Sequence, residues 1–355
     1  MNRDTSWKQI ASVYIGTVIG AGFASGQEIL QFFANYGYIG ILGALVSTLL
    51  FVVVASSVLL KVYNSKIDNY QQLILPVMGK KLSIIVEISI LSYLFIGVCV
   101  MVAGSGALVQ EQFGIPYNLG LIIMAVLTLL TVFRSVEGVL AANSILIPIL
   151  LFGIVAISST VLIKQGFSFE PQEAISANNH NWFISAVMYV NYNIISAIVV
   201  LASLLPVIKS RKIAVKGGVM GGLGLGILSI FIILPLLLLY KDVKHLEIPM
   251  LAVARYAVKN GDIFYSVLIW IAMFTTAVSN SFGFLTRICD IIKINFKLVT
   301  VIFCISTIPI AKMGFSKLVN IFYPLFGYLS SALILIFVVL SIYKKTADKL
   351  SNFKR

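Results

Sequence analysis

Charged residues are scarce in this sequence. They make up 11% of its 355 residues, whereas a soluble domain has roughly 25%. Hydrophobic residues make up 59%, and apolar runs of about 20 residues or more recur along the whole chain. The composition therefore predicts an integral membrane protein built from helices, because a membrane barrel would show short alternating segments instead.

Cysteine and histidine are also rare, with three and two residues. Cys99, Cys289 and Cys304 lie in or at the ends of apolar runs at unrelated spacings, so they predict neither a disulfide framework nor a metal site. The sequence contains no G-x-S-x-G or H-E-x-x-H motif, the patterns typical of serine hydrolases and zinc peptidases. We therefore expect no enzyme activity and no bound cofactor, apart from sodium as a possible coupling ion.

The apolar runs divide into ten predicted spans within one membrane domain, 1–355. These spans cover residues 9–35, 38–62, 82–110, 118–134, 138–163, 182–207, 213–240, 261–288, 297–313 and 318–343. Five spans fall in each half, which gives a first repeat at about 9–163 and a second at about 182–343. An odd number of spans per half places the halves in opposite orientations, the inverted-repeat plan of many secondary transporters. The expected fold class is all-α.

Basic residues set the expected orientation of the spans. The chain has 26 lysines and arginines against 13 acidic residues, and most of the basic residues fall in loops on the side of both termini. The positive-inside rule then places both termini in the cytoplasm, in a multi-pass protein of the cell membrane. Because the charges are spread over six short segments, nucleic-acid binding is not expected. The expected partners are a small-molecule substrate and the lipid bilayer, and the oligomeric state has no signal in the sequence.

Span 1 is interrupted by glycines at mid-membrane. It reads Gly16-Thr17-Val18-Ile19-Gly20-Ala21-Gly22-Phe23-Ala24-Ser25, followed by Gly26-Gln27-Glu28. Glycine weakens a helix, and non-helical backbone at membrane depth is tolerated where it lines a cavity. Unwinding would free backbone N–H groups at the start of the outer half-helix, where the helix dipole is positive. Together they would favour binding of a carboxylate. The alternative is close helix packing through two G-x-x-x-G pairs, Gly16 with Gly20 and Gly22 with Gly26.

The string Gly16 to Phe23 resembles the G-x-x-I-G-x-G signature in the first helix of the amino acid–polyamine–organocation (APC) superfamily. The longer string through Glu28 is similar to the YkvI-like bacterial membrane proteins. The resemblance extends over all ten spans. It implies the leucine-transporter (LeuT) type fold, with substrate between broken spans 1 and 6 and a substrate carboxylate on the backbone of Gly20, Ala21 and Gly22.

Span 6 carries the corresponding candidates of the second half. Asn191 and Asn193 fall at mid-span, and asparagine has poor helix propensity, so a second break is expected there. The predicted substrate-binding residues of both spans are Gly20, Ala21, Gly22, Phe23, Ser25, Gly26, Tyr189, Asn191, Tyr192 and Asn193.

Span 8 contains a string of small hydroxyl residues, with Ala272, Thr275 and Thr276 in the order Ala-x-x-Thr-Thr. It resembles the A-x-x-[ST]-[ST] pattern of the sodium site in sodium-coupled LeuT-fold transporters, and the resemblance adds carbonyls near Ile19 and Gly22. The alternative is ordinary hydrogen bonding between membrane helices. Some proton-coupled members have a lysine in span 5, and its absence here favours sodium.

Two carboxylates, Glu28 and Glu87, lie inside predicted spans. An intramembrane carboxylate is costly and marks a candidate functional site, so both are candidates for proton transfer or gating. The alternatives are a structural hydrogen bond for Glu28 and an ion pair at an inner gate for Glu87. The predicted function is sodium-coupled symport of an amino acid or similar small zwitterion or carboxylate by alternating access. The alternatives are proton-coupled symport through Glu28 or Glu87, or a sensor on the same fold that does not transport.

Overall fold

A computed structural model describes residues 6–134, 137–166 and 181–353, and every regular element within these residues is a helix. The α-helices are α1 (Ser6–Val18), α2 (Ala21–Ala24), α3 (Gln27–Phe32), α4 (Ile39–Ser65), α5 (Tyr70–Phe113), α6 (Tyr117–Arg134), α7 (Glu137–Gln165), α8 (Trp182–Ala202), α9 (Arg211–Leu238), α10 (Tyr240–Val243), α11 (Pro249–Ala257), α12 (Gly261–Ile292), α13 (Phe296–Ala311) and α14 (Phe315–Phe353). By length and composition, seven of them can cross a membrane, and two shorter apolar helices are Tyr117–Phe133 and Phe296–Ala311. Together with the broken first span, these helices account for the ten predicted spans.

Span 1 is broken where the sequence predicts it. It is divided into α1, α2 and α3, with Gly20 in an extended conformation between the first two. Gly26 joins the last two with a φ of 81°, a left-handed conformation that glycine adopts at no steric cost. The glycines therefore supply the backbone freedom that the break requires, and the prediction of a discontinuous first span is confirmed.

The predicted break in span 6 is wrong. Helix α8 runs without interruption through Asn191 and Asn193 and ends at Ala202. The side-chain amide of Asn193 donates to the carbonyl oxygen of Tyr189 at 3.0 Å, and that of Asn191 donates to Ser331 Oγ at 2.7 Å. Because both amides are satisfied with the helix intact, the weak propensity of asparagine, less than about 1 kcal/mol per residue, does not unwind it.

The helices of the two halves pack against each other in matching pairs. Helix α4 packs on α9, α5 on α12, and α6 on α13. Each pair joins the second, third or fourth span of one half to the span at the same position in the other half. The first span of each half packs on the second span of the other, as α1 on α9 and α8 on α4. This pairing is what two halves related by a pseudo-two-fold axis would make, and the repeat boundaries remain a prediction.

Two rows of glycines on α9 bring three helices close together. Gly218, Gly222 and Gly226 lie against α4, whereas Gly217 and Gly221 lie against α1. A Cβ atom at any of the five would come within 3.0 Å of a neighbouring atom. Spacings of four residues place each row on one face of the helix, and small residues allow membrane helices to approach closely. The glycine rows therefore fix α1 and α4 against α9 beside the break.

Candidate functional site

The break in span 1 borders a cavity of about 70 Å³ inside the helix bundle. Its lining comes from the break itself, from α5, α8 and α12, and from α14. Since a water molecule takes up about 30 Å³ of liquid, this space suits a few waters or a small solute. The cavity is therefore the candidate binding site.

Glu28 is the only charged side chain among the described residues that line this cavity. It is 4% exposed, and its carboxylate folds back onto Gly22, where a Cβ atom would collide with it. The hydroxyl of Tyr192 donates a hydrogen bond to this carboxylate. An ionised carboxylate in a buried site is unfavourable unless it is paired, so a proton or a cation would stabilise Glu28 here.

Stacked rings hold Tyr192 in place beside Glu28. The ring of Tyr192 stacks on Phe32 with centroids 5.5 Å apart and on Tyr323 with centroids 4.8 Å apart. Phe32 belongs to α3, Tyr192 to α8 and Tyr323 to α14, so three helices fix the hydroxyl that bonds Glu28. Ring pairs of this kind stabilise a fold by about 0.5–1.5 kcal/mol each beyond their burial.

The cavity extends from Glu28 towards the end of the bundle that carries the start of α1. Glu28 and Gly22 are buried, while Thr17, Ser196 and Asn280 are partly exposed lining residues. Thr17 precedes the break, in the last turn of α1, and Ser196 and Asn280 lie in the C-terminal halves of α8 and α12. The polar, more accessible part of the cavity therefore faces that end.

Helix α11 covers the break from the opposite end. The backbone amide of Met250 donates to the carbonyl oxygen of Ser25 at 3.0 Å, and Gly26 packs directly against the Met250 side chain. The carboxylate of Glu111 accepts from the amides of Glu247 at 2.7 Å and Ile248 at 3.3 Å. Because the break and α5 both bond this segment, α11 can leave only if these contacts break.

Four of the ten predicted substrate-binding residues line the cavity, namely Gly20, Gly22, Tyr192 and Asn193. The other six do not line it. They are Ala21, Phe23, Ser25, Gly26, Tyr189 and Asn191.

The contacts of these six residues lie elsewhere. The hydroxyl of Ser25 donates to the carbonyl oxygen of Gly22 at 2.8 Å, and the ring of Tyr189 packs edge-on against Phe33. Ala21 and Phe23 are fully buried. Ser25 and Tyr189 thus contact the broken span, whereas the amide of Asn191 joins α8 to α14.

Two of the five predicted sodium ligands line this cavity. Gly22 and Thr276 line the cavity, whereas Ile19, Ala272 and Thr275 do not. The hydroxyl of Thr275 donates to the carbonyl oxygen of Ala272 at 3.1 Å within its own helix. Of the two predicted hydroxyl ligands, Thr276 alone thus faces the cavity.

Glu87 lies apart from the cavity and forms an ion pair. It pairs with Arg287 of α12, and the hydroxyl of Tyr70 donates to it at 2.8 Å. The pair joins α5 to α12 near the end of the bundle that carries the start of α1. Of the two roles proposed for Glu87, this geometry fits the ion pair between helices.

Sequence reasoning did not select several residues that line the cavity, among them Ser196, Asn280 and Tyr323. Two of these had a usable signal, because Asn280 follows Thr276 by four residues and Ser196 follows Tyr192 by four, so each pair shares a helix face. Tyr323 had none, since it is one of 15 tyrosines and only the packing of α14 brings it to the site.

Two proteins of Bacillus subtilis (strain 168) resemble the chain along nearly its whole length. The uncharacterized membrane protein YkvI is 30% identical over 330 residues, covering 93% of this chain and 94% of YkvI. The uncharacterized protein YyaD is 28% identical over 341 residues, covering 93% of this chain and 96% of YyaD. No model of a known protein family matches the chain.

Solved transporter structures resemble the fold. A manganese transporter of Eremococcus coleocola superposes with a TM-score of 0.63 at 14% identity, over 95% of this chain and 80% of the transporter. MhsT in complex with L-phenylalanine has the same score and identity, over 94% of this chain and 88% of MhsT. A Na⁺-coupled sialic acid symporter scores 0.62 at 13% identity, over 92% of this chain and 77% of the symporter. At such low identity, the likeness shows a common fold.

Proposed function

The chain belongs to the family of the Bacillus subtilis membrane protein YkvI and has the LeuT-type fold, and on this premise we propose that it is a secondary active transporter of a small solute. The observation that carries the proposal is the polar cavity at a helix break inside the bundle. Transporters of this kind bind substrate at discontinuous helices near the middle of the membrane. A cavity covered by α11 at one end and more accessible towards the other fits alternating access.

The proposed solute is an amino acid or a similar small zwitterion. The cavity volume of about 70 Å³ favours a small molecule, and its lining offers side-chain amides and hydroxyls at Asn193, Ser196 and Thr276. The likeness to MhsT, solved with L-phenylalanine, supports the same class. The backbone at Gly20 and Gly22 remains the proposed position of the solute carboxylate.

The proposed coupling ion is the proton, and Glu28 is its proposed carrier. The Glu28 carboxylate lies against Gly22, where the solute carboxylate is expected, and the described lining contains no lysine, arginine or histidine. Two carboxylates at such close range cannot both stay ionised. A proton on Glu28 removes this repulsion, so the solute carboxylate would bind together with a proton, and this links proton uptake to solute binding.

Once the cavity opens to the other side of the membrane, loss of the proton from Glu28 would restore the repulsion. The solute carboxylate would then be released, so that one proton moves with each solute. Tyr192 would stabilise the ionised carboxylate through its hydrogen bond until the next proton binds.

Sodium is the second candidate for the coupling ion. Thr276 and Gly22 both line the cavity, so one predicted hydroxyl ligand and one predicted backbone ligand lie together. The likeness to a Na⁺-coupled sialic acid symporter supports this alternative.

We expect uptake into proteoliposomes to continue when potassium replaces sodium. We also expect the double variant Thr275→Ala/Thr276→Ala to change the dependence of the uptake rate on sodium concentration by less than about twofold. The reason is that a proton on Glu28 needs neither hydroxyl. The measurement is the initial uptake rate at varied sodium concentration. Wild-type uptake that stops in potassium, together with a more than tenfold higher sodium requirement in the double variant, would transfer the coupling role to sodium.

The test of the proposed function begins with thermal unfolding of the purified protein in detergent. Amino acids, betaines and organic acids are screened in sodium and again in potassium, because a ligand of the folded state raises the midpoint by mass action. Stabilising solutes are then assayed for uptake into proteoliposomes under an imposed pH gradient. Accumulation driven by the gradient supports a transporter, whereas a solute that stabilises the protein without crossing the membrane would indicate a sensor.

A further inference from the structure

A groove outside the central cavity lies where α5 bends. Gly79 has a φ of 71° and breaks the regular backbone of α5, so that the stretch beginning at Tyr70 turns away from the rest of the helix. The groove between this stretch, the following turns of α5 and the last turns of α12 has a volume of about 570 Å³. This volume matches sites that hold whole organic ligands.

The walls of the groove are apolar and remain exposed. Leu75, Ile84, Ile88 and Ile291 line it and are 49%, 52%, 57% and 54% exposed. In a protein that crosses a membrane, exposed apolar side chains contact lipid tails. Ile84 and Ile88 lie one turn apart on the same face of α5, so they can contact one extended acyl chain along its length.

Positive charge predominates at the rim of the groove. Lys80 and Arg287 line it together with one carboxylate, Glu87. Lys80 is exposed, and Arg287 bonds Glu87, so the rim carries one net positive charge. An exposed lysine beside an apolar wall at the end of membrane helices forms a surface complementary to a negatively charged head group with a hydrocarbon tail.

We propose that this groove binds an anionic phospholipid, with the phosphate at Lys80 and one acyl chain along Ile84, Ile88 and Ile291. The bound lipid bridges α5 and α12 beside the Glu87–Arg287 ion pair. The same two helices line the central cavity further along, through Tyr93 and Asn280. The lipid thus strengthens a contact between two helices of the binding site.

The test uses thermal unfolding of the full chain in detergent with added phosphatidylglycerol or phosphatidylcholine. Phosphatidylglycerol is expected to raise the midpoint more than phosphatidylcholine does. Lys80→Gln is expected to weaken the apparent phosphatidylglycerol affinity about fivefold, because one basic residue near an anionic surface contributes about that factor. Ile88→Ala is expected to weaken it as well. Lys61→Gln, at an exposed lysine that does not line the groove, is the matched control and is expected to keep wild-type affinity.

Three results would overturn the proposal. Equal stabilisation by the two lipids would show that the groove does not select an anionic head group. Wild-type phosphatidylglycerol affinity in Lys80→Gln would show that the phosphate does not bind at Lys80. The same shift with inorganic phosphate or glycerophosphoglycerol would indicate a site for a free anion, since neither has an acyl chain. Because the comparison of the lipids needs only the wild-type protein, a variant that folds poorly does not decide the outcome.

Discussion

Glu28→Gln is expected to lower proton-driven accumulation of the solute by about a hundredfold or more, while exchange of solute across the membrane continues. Glutamine keeps the size of the protonated acid and carries no charge, so a solute carboxylate can bind beside Gly22 at any pH. It cannot release a proton, and the link between proton movement and solute binding is lost. The variant is therefore expected to bind and exchange solute without concentrating it.

The measurement compares two assays in proteoliposomes, namely uptake under an imposed pH gradient and exchange of labelled for unlabelled solute. Asp68→Asn removes an exposed carboxylate that does not line the cavity, and it is expected to behave as wild type in both. Wild-type accumulation in Glu28→Gln would exclude Glu28 as the proton carrier. Loss of exchange as well as accumulation would show that Glu28 is needed for binding or for the fold, and not for coupling alone.

Gly22→Ala is a second probe of the same site. The added Cβ would collide with the Glu28 carboxylate, which sits at the end of a flexible side chain and can move. The variant is therefore expected to fold and to show altered pH dependence of uptake.

Gly222→Ala is expected to destabilise the protein by about 1–3 kcal/mol. The added Cβ would lie 2.6 Å from Val52 Cγ2 and 2.7 Å from the Val52 backbone nitrogen. A backbone atom cannot move aside as a side-chain end can, so α4 and α9 must separate along the row of glycines. The expected observation is a lower midpoint of thermal unfolding in detergent, with reduced yield of folded protein.

Gly224→Ala, on the same helix, is the matched control. Its Cβ would meet only the end of the Ile15 side chain, at 2.6 Å from Cδ1, and a rotamer change can relieve that contact. Both variants make the same chemical change in one helix, so the difference between their midpoints reports the backbone contact with α4. Equal midpoints would show that the glycine row does not set the distance between α4 and α9.

The fold was largely readable from the sequence. Recurring apolar runs predict helices that cross a membrane, because backbone amides in lipid must be satisfied within the helix itself. The break at Gly20 to Gly26 was readable as well, since a cluster of glycines weakens a helix whatever surrounds it. The same reasoning was wrong at Asn191 and Asn193, because the hydrogen-bond partners of their side chains depend on neighbouring groups, which the local sequence does not specify.

The candidate site was readable only in part. Gly20 and Gly22 followed from the backbone pattern, and Tyr192 and Asn193 followed from their place in span 6. Which of the small hydroxyls faces the cavity could not be predicted, since Thr275 and Thr276 are adjacent and point in different directions around the helix. The tyrosine of α14 that stacks on Tyr192 lies 131 positions further along the chain, and no short-range pattern marks it.

The sequence by itself determined the membrane class, the number of spans, and the place where the first helix breaks. Each of these depends on composition or on local backbone preference, which a short stretch of chain already possesses. Only the tertiary structure decided that the Glu28 carboxylate turns back onto Gly22, that Tyr192 bonds it, and that α11 covers the break. These features arise from contacts between helices far apart in the chain, and such contacts exist only once the helices have packed.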